Sequence, residues 1–133
     1  MKIPHNAQVA IVNGEKFLLL RNTGQAFEIK LERVSEPDLL LTNFSAGARH
    51  PDPNDQRNGS GDELAHGTAI AEWLNAKALK GKLGDIVIAA DPRTLGQIRQ
   101  HYHKETQAKI VGEVDKDLTN LPIPDIEKAL AAA

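Results

Sequence analysis

The stretch Asp85-Ile86-Val87-Ile88-Ala89-Ala90-Asp91-Pro92 decides the fold. An unbroken apolar run opening on three β-branched residues suits a strand covered on both faces, as strands of parallel sheets are. Asp91-Pro92 ends it at once. An Asp side chain accepts from the free amides of a starting helix, and Pro fills a first helical position that needs no amide donor. Leu95, Ile98 and Tyr102 follow at helical spacing and supply a buried stripe. A buried strand running into a capped helix is half of a parallel crossover, which makes the chain α/β.

Outward from this junction the same reading continues. Ala108 to Val114 reads as the next strand, and Pro124 opens a last short helix whose Ile126 and Leu130 pack inward. Upstream, Ser60-Gly61-Asp62-Glu63 has the Ser-x-x-Glu spacing of a capping box. The helix it starts runs to about Lys80, with Ile70, Trp73, Leu74 and Ala78 as its apolar stripe and Gly81 as its stop. Ala7 to Val12 is a buried strand leading into Asn13-Gly14, a hairpin signal that expects φ > 0 at both residues. Lys16 to Arg21 then pairs antiparallel with it. A turn at Asn22-Thr23-Gly24 leads into a third strand, Gln25 to Arg33, where Phe27, Ile29 and Leu31 alternate with Glu28, Lys30 and Glu32.

The order is β-β-β-α-β-α-β-α. Right-handed crossovers place the three-stranded meander on one side of a mixed five-stranded sheet and the two parallel strands on the other. Between meander and first helix lies Ser35 to Gly61, with Pro37, Pro51 and Pro53. A connection this long is functional or disordered. Leu39-Leu40-Leu41 and Phe44 are expected to tuck its first part against the core, and Ser45 to Gly61 to be mobile.

A chain of 133 residues builds one core and is expected to be one domain. Apolar residues at 41% and charged residues at 26% are globular values. The absence of cysteine excludes disulfides, thiol catalysis and cysteine-held metal centres. Neither a signal peptide nor a membrane span is legible, so the expected location is cytoplasmic. Net charge is −2 but unevenly spread: Lys77 to Lys109 carries seven basic against three acidic residues, while Ser35 to Ala65 and Ile110 to Ala133 are acidic. Such a basic run is either a solvated face or a handle for an anionic partner.

Several residues are candidates for chemistry. Asp91, Asp115 and Asp117 stand at the carboxyl ends of the parallel strands, where open α/β sheets bind ligands. Three carboxylates there would suit Mg²⁺ and phosphodiester cleavage. Yet Asp91 is accounted for as a cap, and the first strand supplies no Asp. Arg93 and Thr94, in the first helical turn, make with Lys116 a candidate phosphate-binding corner. His50, Asp52, Asp55 and His66 have no spacing that a rigid element would impose, so no metal site is expected from them. His101 stands four residues before Glu105, the spacing of a helical surface pair.

Taken together, Asp91-Pro92-Arg93-Thr94-Leu95-Gly96, His103-Lys104-Glu105, Asp115-Lys116-Asp117-Leu118-Thr119 and Ile126-Glu127-Lys128 resemble the bacterial family named for a "protein required for attachment to host cells". The resemblance covers essentially the whole chain. That family is similar in fold to the middle domain of archaeal and eukaryotic peptide-chain release factors, a ribonuclease H-like topology. His103 and Lys104 fall in the family-like segment and join Asp91, Arg93, Thr94, Asp115, Lys116 and Asp117 as candidate binding residues, without an assigned chemistry; Arg49, Gln56 and Arg57 are the candidates of the long connection. The release-factor domain carries a Gly-Gly-Gln tripeptide that reaches the peptidyl-transferase centre. Here the corresponding segment, Phe44 to Gly61, holds Gly47, Gln56, Gly59 and Gly61 without that tripeptide.

The expected function is therefore an RNA- or ribosome-associated binding domain, non-enzymatic or weakly enzymatic, with the ribosome or tRNA as partner, no release activity, no cofactor and no catalytic residue assigned. A metal-dependent phosphodiester hydrolase and an interaction adaptor acting through the third strand are the alternatives. Oligomeric state is not legible in the sequence.

Overall fold

The computed structural model describes residues 1–34 and 59–133, with the backbone alone over 59–65. Readings that fall on 35–58 lie outside the described residues: the packing of Leu39 to Leu41 and Phe44, the mobility expected from Ser45, and the positions of Arg49, His50, Asp52, Asp55, Gln56 and Arg57. So do the capping side chains of Ser60 and Glu63.

Five strands form one sheet: β1 (Gln8–Val12), β2 (Phe17–Asn22), β3 (Leu31–Arg33), β4 (Ile86–Ala90) and β5 (Ile110–Val114). Their spatial order is β3-β2-β1-β4-β5. β2 runs antiparallel to β1 and β3, and β4 runs parallel to β1 and β5. This is the mixed sheet expected, with the meander on one side and the parallel pair on the other. Helices α1 (Gly59–Leu79), α2 (Pro92–Arg99), α3 (Lys104–Gln107) and α4 (Ile123–Ala132) complete the described elements.

Alternation along the central strands divides the single core expected into two clusters, one on each face of the sheet. Ala10 and Val12 of β1 with Ile86, Ile88 and Ala90 of β4 face α1 and α2, where Ile70, Ala71, Leu74, Leu95 and Ile98 meet them. Val9, Ile11, Val87 and Ala89 face the other way, onto Ile3, Leu118, Ile126 and Leu130. All five β4 residues are buried, as a strand sandwiched between helices requires.

Gly81 ends α1 with φ at +69°. Its amide donates to the Ala78 carbonyl (3.0 Å) and that of Lys82 to the Lys77 carbonyl (2.8 Å), the paired closing bonds of a Schellman motif. A Cβ at Gly81 would meet nothing within 4 Å, so Gly81→Ala tests backbone strain alone. The expected cost is about 1 kcal/mol, read as a lowered denaturation midpoint.

Four local expectations are corrected. The β1–β2 turn closes without positive φ at Asn13 or Gly14. Instead the Asn13 Oδ1 accepts from the amides of Glu15 (2.8 Å) and Lys16 (2.7 Å), so a side chain shapes the turn and pairing starts at Val12 and Phe17. The third strand is only Leu31–Arg33, and Phe27 is 79% exposed. The buried Asn22 is the cause: its Oδ1 accepts from Gly24 (2.9 Å) and Lys30 (3.0 Å), and its Nδ2 donates to the carbonyls of Ile3 (2.9 Å) and Gln25 (3.2 Å). These bonds hold 23–30 as a compact tip. The helix from Pro92 ends at Arg99, short of Tyr102, and a separate turn, α3, precedes β5. His103 caps that turn, its Nδ1 accepting from the Glu105 amide (3.1 Å), so His101 and Glu105 share no helix. Finally, β5 begins at Ile110 rather than Ala108 and bulges: Ile86 pairs with Ile110 but Val87 with Gly112, leaving Val111 outside the ladder.

Candidate functional site

The carboxyl edge of the parallel strands gathers six of the sequence candidates. Asp91 follows β4 directly and caps α2, its Oδ2 accepting from the Thr94 amide at 3.2 Å. Its other oxygen, Oδ1, is buried without a hydrogen-bond partner. Thr94 is itself buried. The first turn of α2 thus already carries a carboxylate at its positive end, and that carboxylate opposes an incoming anion. Arg93 is exposed and engaged with a neighbour.

After β5, Asp115, Lys116 and Asp117 are all exposed. Asp117 is held firmly in place. Its Oδ1 accepts from the Thr119 amide (2.9 Å) and hydroxyl (2.6 Å), and its Oδ2 from Asn13 Nδ2 (3.3 Å). Lys16 Nζ reaches Asn120 Oδ1 at 3.2 Å in the same cluster. Burial acts to raise the Asp117 pKa, but the hydrogen bonds from Thr119 and Asn13 and the charge of Lys16 outweigh it and hold the carboxyl below its ordinary value. This side chain latches the β1–β2 turn to the start of the β5–α4 connection.

Asp115 instead lines a cleft of about 360 Å³ with Pro92, Leu95, Arg99 and Glu113. A second hollow of about 330 Å³, lined by Arg99, Tyr102, Gln107, Ile110 and Glu113, adjoins it along the α2–β5 seam. Arg99 and Glu113 stand in both. Arg99 Nε and Nη2 both donate to Glu113 Oε1, at 2.9 and 2.6 Å, and the Tyr102 hydroxyl donates to Oε2 at 3.4 Å. Sequence reading missed this trio because its members lie on different elements; the only signal was a polar Glu113 within an otherwise apolar strand.

Burial pushes the Tyr102 hydroxyl well above the ordinary tyrosine value of 10.0, and the Glu113 carboxylate adds to the shift by charge and by hydrogen bond. The protonated phenol is thereby favoured in the fold. Its contribution is complete below the ordinary tyrosine pKa and is lost as pH rises from there toward the folded-state value. Tyr102 is the single tyrosine, so tyrosinate absorbance follows it alone. In the wild type, tyrosinate should appear only well above pH 10; Glu113→Gln should bring its midpoint down.

His103 and Lys104 stand at the opposite end of the sheet, across the length of β5, because α3 precedes that strand. The structure therefore divides the sequence candidates between two edges, with Arg49, Gln56 and Arg57 outside the described residues. Among the described residues, no group of three His, Cys, Asp or Glu side chains is placed to hold a metal ion. Nor does any helix there have the length and apolarity to cross a membrane.

The family model for bacterial archaeo-eukaryotic release factor family 12 matches residues 6–130. The chain belongs to this family. The family-12 match takes in all five described strands and, apart from Ile3, the buried residues on both faces of the sheet. A search of the curated proteins finds no match to this family-12 chain.

Proposed function

We propose that this protein is a translation-associated binding domain that engages RNA or the ribosome, without release activity of the Gly-Gly-Gln kind. The observation that carries this reading is membership of a release-factor family across residues 6–130. Its sequence has no two adjacent glycines, so it lacks the tripeptide on which that hydrolysis depends. The described side chains support binding over catalysis: Asp91 is engaged as a cap, Asp117 as a latch and Glu113 by Arg99.

Phosphate contacts release counterions, so binding must weaken steeply as salt rises. The protein is expected to cosediment with ribosomes or to retain tRNA at low salt and to lose both at higher salt. Peptidyl-tRNA should remain intact in its presence. Failure to bind either ribosomes or tRNA at low salt removes this reading.

A further inference from the structure

Strand direction brings several separate segments to one edge of the sheet. β2 ends at Asn22 beside the start of β1, where the Asn22 amide donates to the Ala7 carbonyl at 2.9 Å. Gln8 of β1 pairs with Ile86, the first residue of β4, and Ile86 with Ile110, the first of β5. The amino ends of the parallel strands and the 23–30 tip therefore share one rim. Four strand spacings of about 4.8 Å make that rim about 19 Å wide.

The rim is cationic. Lys30 lies on the tip and Lys2 beside it, Lys80 and Lys82 follow α1, and Lys104 and Lys109 flank the start of β5; all six are exposed. Among the described residues none of them forms an ion pair. Against them stand Glu28, Asp85, Glu105 and Glu127, whose Oε2 accepts from the Leu31 amide at 2.7 Å, although the chain as a whole has a net charge of −2. Asn75 of α1 fixes the far corner, donating to the His101 carbonyl (2.8 Å) and accepting from the His103 amide (2.9 Å) and Thr106 hydroxyl (2.6 Å). At the near corner Phe27 stands 79% exposed, with the Lys2 ammonium 5.9 Å from its ring centroid. Its tip is stiff: besides the bonds of Asn22, His5 Nδ1 lies 2.7 Å from the Gly24 carbonyl, and the Gln25 amide donates to the Glu28 carbonyl at 3.0 Å.

We infer that this amino-end rim is the RNA-contacting surface, taking a single-stranded segment whose phosphates lie along Lys80, Lys82, Lys104 and Lys109 while a base stacks on Phe27. Lysines without an ion-pair partner among the described residues, along a rim with a rigidly presented aromatic ring, are the two parts of a single-strand platform: cations for the backbone and a flat apolar face for a base. A purely acidic protein surface would use the lysines and leave Phe27 idle. The inference rests on the RNA-binding reading above and adds where and in what form RNA is held.

The test is fluorescence anisotropy with a labelled single-stranded RNA of about 12 nucleotides. The variants are Lys80→Glu/Lys82→Glu, Lys104→Glu/Lys109→Glu, Phe27→Ala and Phe27→Trp. All alter exposed side chains, and Trp73 emission verifies the fold of the first three. Each lysine pair should weaken binding about tenfold or more and flatten the log–log salt slope by about 1.4. Phe27→Ala should weaken it about tenfold, and Phe27→Trp should restore it. No binding by the wild type at low salt overturns the RNA reading itself. Wild-type binding with lysine-pair variants within about twofold leaves that reading intact and overturns the rim. Lysine dependence without Phe27 dependence, or equal competition by polyglutamate, also overturns the proposal, because charge alone would then explain the contact.

Discussion

Asn22→Ala is expected to lower stability by about 3–4 kcal/mol, a large part of the roughly 5–15 kcal/mol that holds a domain together. Asn22 is fully buried, and its amide uses both donor hydrogens and both acceptor positions. Truncation leaves the carbonyls of Ile3 and Gln25 and the amides of Gly24 and Lys30 without those partners, and unmet buried groups cost far more than a formed bond contributes. Asn22→Asp sharpens the test, being nearly the same shape. It retains one acceptor oxygen but turns the other, charged, toward the Ile3 and Gln25 carbonyls, so it should be at least as damaging at neutral pH. Urea denaturation of the three proteins measures both effects. An Asn22→Asp protein as stable as the wild type would mean that shape, rather than hydrogen bonding, fixes the tip.

Leu74→Ala should cost about 3 kcal/mol, since removing a buried Leu side chain loses its transfer energy and leaves a cavity that the surroundings only partly fill. Leu74 is fully buried where α1 meets the sheet, in the cluster containing Ile70, Ile86, Ile88 and Ile98. Trp73, the single tryptophan, is the adjacent reporter; its ring meets Phe17 edge-on at 5.3 Å and the Lys77 ammonium at 5.4 Å. Its emission should report the same midpoint as circular dichroism if α1 unfolds together with the sheet. Phe27→Ala provides the contrast. A ring 79% exposed contributes little to the core, so its removal should leave stability within about 0.5 kcal/mol.

What was legible in the sequence was what neighbouring residues decide among themselves. The Asp91-Pro92 junction, the Gly81 stop, the α1 stripe and the apolar β4 all depend on contacts within a turn or on simple periodicity, and the structure has each of them. Sheet order followed from handedness. The misreadings have distant causes. Alternation from Gln25 to Arg33 argues for a long strand, but Asn22 draws in Ile3 and Pro4 as well as Lys30, and the tip folds over. Helical spacing carries Tyr102 into α2, but Asn75, on another helix, binds the backbone at His101 and His103 and breaks the run. Of the candidate site, charge patterning revealed the basic stretch but not its location. Only strand direction shows that Arg93 faces one edge of the sheet while Lys80, Lys82, Lys104 and Lys109 face the other.

The parallel pairing of β1 with β4 also governs how the chain can be made. β1 is flanked by β2, which arrives at once, and by β4, whose last residue Ala90 pairs with Val12. At about 5–20 residues per second, translation needs about 4–16 s to proceed from Val12 to Ala90. Throughout that interval a strand that is apolar from Val9 to Val12 has one side of its ladder open. Synthesis speed, temperature and chaperone supply should therefore influence the soluble yield of this protein more than its final stability does.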